Sequence, residues 1–254
     1  MALNPYESER SLSEYLLFHY GKPEEVLPYP FGPAGALDFA VRVVTEMVDI
    51  GSLPEGARAL DLGCAVGRSS FELARWCAEV TGIDYSASFI RAANTLAAGG
   101  EIPYERTEEG VLMTNTVARA PEGTEHQTVR FEVGDACALR PDLGSFDLVL
   151  LANLVDRLPD PRRCLERLPG LVAPGGQLVI ASPFTWLEEY TPREHWLGGI
   201  ERQDQDMRGP EALREILSAD FEFLRQTDLP FLIREHARKY QWSVSWAGTW
   251  RRRS

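Results

Sequence analysis

The chain has 254 residues, 44% of them hydrophobic, and a formal net charge of -12. That length suits one large domain or one domain with extensions, the acidic balance disfavours a nucleic-acid backbone as partner, and no apolar run approaches the roughly 20 residues of a membrane span. The opening "MALNPYESERSLSEYLL" has acids where a signal peptide needs a basic end and an apolar stretch, so a cytoplasmic location is expected.

Cys64, Cys77, Cys137 and Cys164 form no C-x-x-C pair and the four histidines are scattered, so no metal site is expected. Such cysteines read as small buried hydrophobes. A small-molecule substrate or a protein partner is the expectation that remains.

The first fifty residues read as a helical prelude. Leu12, Tyr15, Leu16 and His19 fall at i, i+3, i+4 and i+7, one helix face. "GKPEEVLPYPFGP" interrupts it, because proline removes a donor and restricts its neighbour. A second helix is expected from about Gly35 to Ile50 with Leu37, Val41, Val44 and Val48 inward.

A strand–helix rhythm follows. Ala57 to Leu62 reads as a strand and Ser69 to Ala78 as a helix; "EVTGIDY" and "SASFIRAANTLAA" repeat the pair. "TVRFEVGDA" and "FDLVLLAN" are the next strands, "DPRRCLERLPGLV" a helix and "GGQLVIASP" a fifth strand. Short apolar runs alternating with helices predict a doubly wound α/β sheet, parallel and buried on both faces. Glu101 to Gln127 is too long and polar for an ordinary connection, so an inserted hairpin or excursion is expected. After the aromatic-rich "PFTWLEEYTPREHWLGG" and the helix "GPEALREILSA", two final strands, "FEFLRQTDLPFL" and "YQWSVSWAGTW", suggest an antiparallel pair added to the sheet.

In such sheets ligands bind outside the carboxyl ends of the strands, where strand order reverses. The turn "DLGCAVG" ends the first strand. No Gly-Lys-Ser/Thr follows it, and G-x-G-x-x-G is absent, so neither a phosphate loop nor a dinucleotide fingerprint fits. The spacing Asp61-x-Gly63-x-x-x-Gly67 instead resembles motif I of class I S-adenosylmethionine-dependent methyltransferases. Asp84 closes the second strand, Gly134-Asp135-Ala136 the third and Asn153 the fourth, and "LVAPGGQLVI" resembles that family's proline-glycine turn and fifth strand. The resemblance implies a Rossmann-like, seven-stranded mixed sheet. It also implies a cofactor site of Asp61, Gly63, Cys64, Ala65, Gly67, Asp84, Tyr85, Asp135, Ala136 and Asn153, binding S-adenosylmethionine and releasing S-adenosylhomocysteine. Asn153 is the candidate catalytic residue. The glycines could equally serve strand–helix packing, and Asn153 could cap a helix.

"NPYESERSLSEYLLFHYGKPEEVLPYPFGP", "PYERTEEG", "LLANLVDRLPDP" and "ASPFTWLEEYTP" are similar to the methyltransferase family of ovothiol biosynthesis, which occurs alone or fused to a sulfoxide synthase. This resemblance implies methyl transfer to the imidazole π nitrogen of 5-thiohistidine to give ovothiol A, by a stand-alone enzyme linked functionally to a separate sulfoxide synthase. Residues 1–50 would form a substrate lid and residues 51–254 the methyltransferase domain, with an insertion around 101–127. Tyr15, His19, Tyr20, Tyr29, Trp186 and Tyr190 are candidate aromatic walls; Arg157 and Asp156 are candidates for the substrate's carboxylate and ammonium. Two other readings stay open: a methyltransferase for a phenol or carboxylate, and a non-catalytic cofactor-binding module.

Overall fold

The computed structural model describes residues 5–124, 128–202 and 205–254. The first four residues of the expected lid, and 125–127 of the expected excursion, lie outside the described residues.

A 3-10 turn at Pro5–Glu7 leads into α1 (Glu9–Tyr20), whose N-cap Ser8 accepts a hydrogen bond from Ser11 N at 3.1 Å. Pro23 then starts α2 (Pro23–Val26) and α3 follows (Phe39–Met47). The expected helix from Gly35 to Ile50 is thus shorter. Asp38 is left-handed (φ 55°) and the helix begins after it. Phe39, Ala40, Val43, Val44 and Met47 therefore face inward, and Leu37 and Val41 are half-buried.

Next come β1 (Arg58–Leu62), α4 (Arg68–Leu73), β2 (Glu79–Asp84) and α5 (Ala87–Ala97). α4 stops before the expected Ala78, whose N–H instead bonds Ala57 O at 2.8 Å and starts the β1–β2 pairing. The expected excursion is a hairpin, β3 (Ile102–Glu109) and β4 (Leu112–Ala118). β5 (Val129–Val133), β6 (Phe146–Ala152), α6 (Pro161–Leu165), α7 (Leu168–Leu171) and β7 (Val172–Ser182) follow. A single helix was expected where α6 and α7 stand. Pro169 breaks it, having no N–H to donate and a ring that clashes with the preceding turn. A small hairpin, β8 (Ile200–Arg202) and β9 (Gln205–Met207), precedes α8 (Gly209–Leu217). The chain closes with β10 (Phe221–His236) and β11 (Lys239–Arg252).

The main sheet has seven strands in the order β10-β11-β7-β6-β1-β2-β5. β5, β2, β1, β6 and β7 pair in parallel, and β11 runs antiparallel to both β7 and β10. This is the mixed, doubly wound sheet the sequence predicts. Its order reverses at β1, which places the switch point at the carboxyl ends of β1 and β6. Leu148 to Leu151 are fully buried, because both faces of the sheet are covered. The four cysteines are free and buried, as small hydrophobes.

Two features build a wall beyond those strand ends. β11 pairs with β7 from Trp246 onward, so its Lys239–Ser245 part, with the matching part of β10, extends past the carboxyl end of β7. The β3–β4 hairpin docks on this projection: buried Arg234 of β10 donates to Glu108 Oε2 and to the carbonyl of Glu25, each at 2.5 Å. α1 and α3 pack on the same face, and Phe18, Phe39 and Phe231 form a ring cluster with centroids 5.3–6.3 Å apart.

Leu16, Leu17 and Val26 belong to the same hydrophobic cluster as Ala59, Phe71 and Leu148 of the central sheet. A boundary at residue 50 therefore divides no core. Burying a Leu or Val contributes about 1.5–3 kcal/mol, so three of them approach the whole stability of a domain, about 5–15 kcal/mol. A chain lacking residues 1–30 is expected to lose its cooperative thermal transition or to melt far below the full chain by circular dichroism. An unchanged midpoint would show that the prelude is a detachable flap.

Candidate active site

The turn after β1 is set by backbone geometry. Gly63 (φ 74°) and Gly67 (φ 91°) are left-handed, where a side chain is strained. A Cβ on Gly67 would lie 2.6 Å from the Phe131 ring, and one on Gly63 would lie 2.9 Å from Leu154. Ala65 is also left-handed (φ 48°) and is held there by its N–H, which donates to Asp84 Oδ2 at 2.9 Å. Cys64 packs in the core beneath.

Asp61 is completely buried beneath the turn. Its Oδ2 accepts from Ser69 Oγ at 2.7 Å and Ser70 Oγ at 2.6 Å; its Oδ1 is buried with no partner among the described residues. Burial pushes its carboxyl up to about 6, against the pull of the two serines. A shift of about two pH units amounts to roughly 3 kcal/mol, which the ionised group costs the empty fold at neutral pH. By sign, that cost is absent below about pH 4, grows as pH rises from about 4 to about 6, and is constant above that.

Asp84, half-buried at the end of β2, accepts from Ala65 N through Oδ2 and from Ser86 N at 2.8 Å through Oδ1. Each oxygen keeps a lone pair for a further donor. Asp135, at the end of β5, turns its Oδ1 back to Cys137 N at 2.8 Å, and Ala136 beside it is buried. Tyr85 follows Asp84, but its side chain is 67% exposed.

Asn153 caps no helix. It ends β6 in the left-handed region (φ 55°), which asparagine tolerates, and its N–H bonds Ala181 O at 2.8 Å. Its Oδ1 accepts from Ser245 Oγ of β11 at 2.6 Å, so its amide nitrogen is the part left to donate.

α1 forms the opposite wall. Tyr15 lies against the charges of Asp84 and Arg157, and burial pushes its phenol up to about 12. Tyr6 packs on Tyr15 and Tyr190, with centroids 5.9 Å and 6.2 Å away, and the Arg157 guanidinium lies 4.9 Å over the Tyr190 ring. His19 is held neutral: burial, then the Arg68 charge, pull its imidazole down to about 3.

The structure brings Tyr15, Tyr190, Arg157 and Asp84 together and redirects other expected site residues. Asp156 is fully buried, taking bonds from Ser182 Oγ, Thr185 N and Arg157 at 2.8–3.0 Å. It anchors the chain after β7 and has no access to a substrate ammonium. Tyr20 donates its hydroxyl to Val66 O at 2.6 Å, so it props the glycine turn. Trp186 stacks on Trp196, 6.3 Å away, in the cluster on the other sheet face. Tyr29 stacks on Phe31, 5.3 Å away, near Tyr240 at the β10–β11 end. Tyr6 and Ser245 were not singled out in the sequence. Tyr6 precedes the α1 periodicity, and Ser245 stands 92 residues from the asparagine it holds.

Residues 60–180 match the family described as "Methyltransferase domain". A 2-methyl-6-phytyl-1,4-hydroquinone methyltransferase of Synechocystis is 27% identical over 92% of this chain and 63% of its own length. A ubiquinone biosynthesis O-methyltransferase of Xanthomonas axonopodis is 28% identical over 59% of this chain and 53% of its own. The chain thus spans between half and two thirds of these relatives. Among solved structures, the cyclase SpnF superposes with a TM-score of 0.60 at 17% identity, covering 98% of this chain and 94% of its own. A SAM-dependent methyltransferase of Methanosarcina mazei gives 0.53 at 21%, covering 80% and 95%. The fold is that of class I methyltransferases.

The residues at the turn fit S-adenosylmethionine. The unpartnered Asp61 Oδ1 suits an ammonium, and the Asp84 oxygens suit vicinal hydroxyls. A cation favours the ionised carboxylate, so affinity for S-adenosylhomocysteine is expected to rise with pH through about 6 and level off above 7. Asp61→Asn should remove that dependence and weaken binding by about 1.5–3 kcal/mol. Calorimetric titration of both proteins across that range checks it.

Proposed function

Residues 60–180 match a methyltransferase domain and the fold is that of class I methyltransferases; we propose an enzyme that uses S-adenosylmethionine to methylate the imidazole π nitrogen of 5-thiohistidine, giving ovothiol A. The observation that carries this reading is the group across from Asp84: the phenols of Tyr6, Tyr15 and Tyr190 beside the Arg157 guanidinium. Flat apolar rings suit an imidazole, and a guanidinium suits the carboxylate of an amino acid. Among the described residues Arg157 is held through Nη1, to Asp156 and to Thr185 O at 2.9 Å. Its other nitrogens remain for a ligand. The similarity of the prelude and of "ASPFTWLEEYTP" to the ovothiol family supports the same acceptor.

The bound donor supplies an electrophilic methyl group on a sulfonium. The chain's part is alignment and exclusion of water. An imidazole nitrogen attacks with its own lone pair, so no strong base is required. Aim is the harder demand, because the ring sulfur is the softer nucleophile. The Asn153 amide, held by Ser245, directs its N–H groups at the ring and fixes which atom meets the methyl.

A second reading is methylation of a hydroquinone, and the name of the Synechocystis relative favours it. One assay separates them: the full chain with S-adenosylmethionine and either 5-thiohistidine, histidine or a hydroquinone, with products resolved by mass spectrometry. N-methyl-5-thiohistidine as the main product supports the first reading; efficient turnover of the hydroquinone replaces it. Asn153→Ala is expected to lower kcat by about ten- to a hundredfold, since misplacement of about 1 Å has that effect, and to admit S-methyl product with S-adenosylhomocysteine affinity unchanged. A wild-type rate with pure N-methyl product would move the aiming role elsewhere.

A further inference from the structure

We propose that His19 binds the carboxylate at the amino-acid end of the donor, with Arg68 beside it, so that α1 and the glycine turn close together on a zwitterion. This rests on S-adenosylmethionine being the donor. The motivating observation is a buried polar atom with nothing to bond. Nδ1 of His19 is out of solvent and has no partner among the described residues. The ring is held by aromatic contacts, with Tyr15, Phe18 and Tyr20 centroids at 5.9, 5.2 and 6.3 Å. Buried nitrogens without partners are rare in native folds and call for a ligand or a water.

The position of His19 follows from its helix. Tyr15 and His19 are four residues apart and share one face, one turn of about 5.4 Å along the axis. Tyr15 lies by Asp84, the acid suited to the ribose. Tyr20 bonds Val66 O inside the glycine turn. α1 thus runs from Asp84 toward the turn, with Tyr15 near Asp84, Tyr20 on Val66 and His19 within reach of the Arg68 charge. Arg68, the first residue of α4, acts on the same imidazole and commits Nη1 to Glu72 at 3.1 Å. Across the turn, Asp61 Oδ1 lacks a donor. One side of the turn therefore lacks a cation, and the other presents a guanidinium and a neutral imidazole. An α-amino acid zwitterion satisfies both. Nδ1 then carries the ring proton and donates it in a hydrogen bond to the carboxylate.

Calorimetry on the full chain tests this with three ligands: S-adenosylhomocysteine, decarboxylated S-adenosylmethionine and 5′-methylthioadenosine. His19→Leu is expected to weaken S-adenosylhomocysteine binding about tenfold or more, the size of one lost hydrogen bond to a charged group. The two ligands lacking a carboxylate should bind as they do to the wild type. His19→Asn, whose amide nitrogen stands close to the place of Nδ1, should recover most of the loss. The ligand-free His19→Leu protein should melt no lower than the wild type, since the nitrogen has no bond to lose. Equal losses for all three ligands, no recovery in His19→Asn, or unchanged S-adenosylhomocysteine affinity in His19→Leu would overturn the assignment. A wild-type chain that binds none of the three would overturn the donor reading itself, and this inference with it.

Discussion

The site depends on keeping one carboxylate ionised where water cannot reach it. Asp61 lies under the glycine turn with one oxygen on Ser69 and Ser70 and the other unpaired. An ionised acid in that place is unfavourable until a cation arrives. The surrounding sequence makes the arrangement possible. The serines are the second and third residues of α4, so the helix must begin at once after the turn. Gly67 makes that start possible, because its left-handed backbone packs against Phe131 with no room for a Cβ. Asp84 then fixes the middle of the turn through Ala65 N. Strand order, turn geometry and charge placement are one constraint seen at three scales.

Above that turn the chain builds a wall from segments far apart in sequence. The β10–β11 hairpin outruns β7, and α1, α3 and the β3–β4 hairpin settle on its projecting part. Arg234 ties the pieces together by bonding both Glu25 and Glu108. Nearer the donor, the carbonyl of Tyr6 accepts from Ser86 and Ser88 at 3.1 Å, and Glu7 accepts from Ala87 N at 2.7 Å. The very start of the described chain is thus fastened to the residues that follow Asp84. α1 shares the central core through Leu16 and Leu17.

The strand ends proposed for the donor were legible in the sequence because they are nearly contiguous. Strands buried on both faces leave short apolar runs, and an acid or glycine at the end of each marks the switch point. Element ends were less legible: Pro169 was visible, yet the apolar period carried through it, and the left-handed Asp38 that delays α3 has no sequence signature of its own. The acceptor half was hardly legible, since it rests on distant pairings. Asp156 and Arg157 look like a zwitterion clamp until Ser182 and Thr185, 26 and 29 residues on, claim the carboxylate. Asn153 could be named, but the Ser245 that orients it could not.

This division also explains what the relatives do and do not carry over. The family match over 60–180 contains Asp61, Asp84, Asp135 and Asn153, the strand-end residues proposed for the donor. It excludes Tyr6, Tyr15, His19, Tyr190 and Ser245, which come from the segments before and after it. Tyr6, Tyr190 and Ser245 enter the proposed acceptor side, and His19 the proposed donor side, from outside that match. A chain can therefore keep the turn and change its chemistry by rebuilding the wall, and a cyclase with the same fold accords with that freedom. In this chain Tyr6, Tyr15 and Tyr190 gather beside the Arg157 guanidinium, so it is this cluster rather than the shared sheet on which the proposal of a small, flat, carboxylate-bearing acceptor rests.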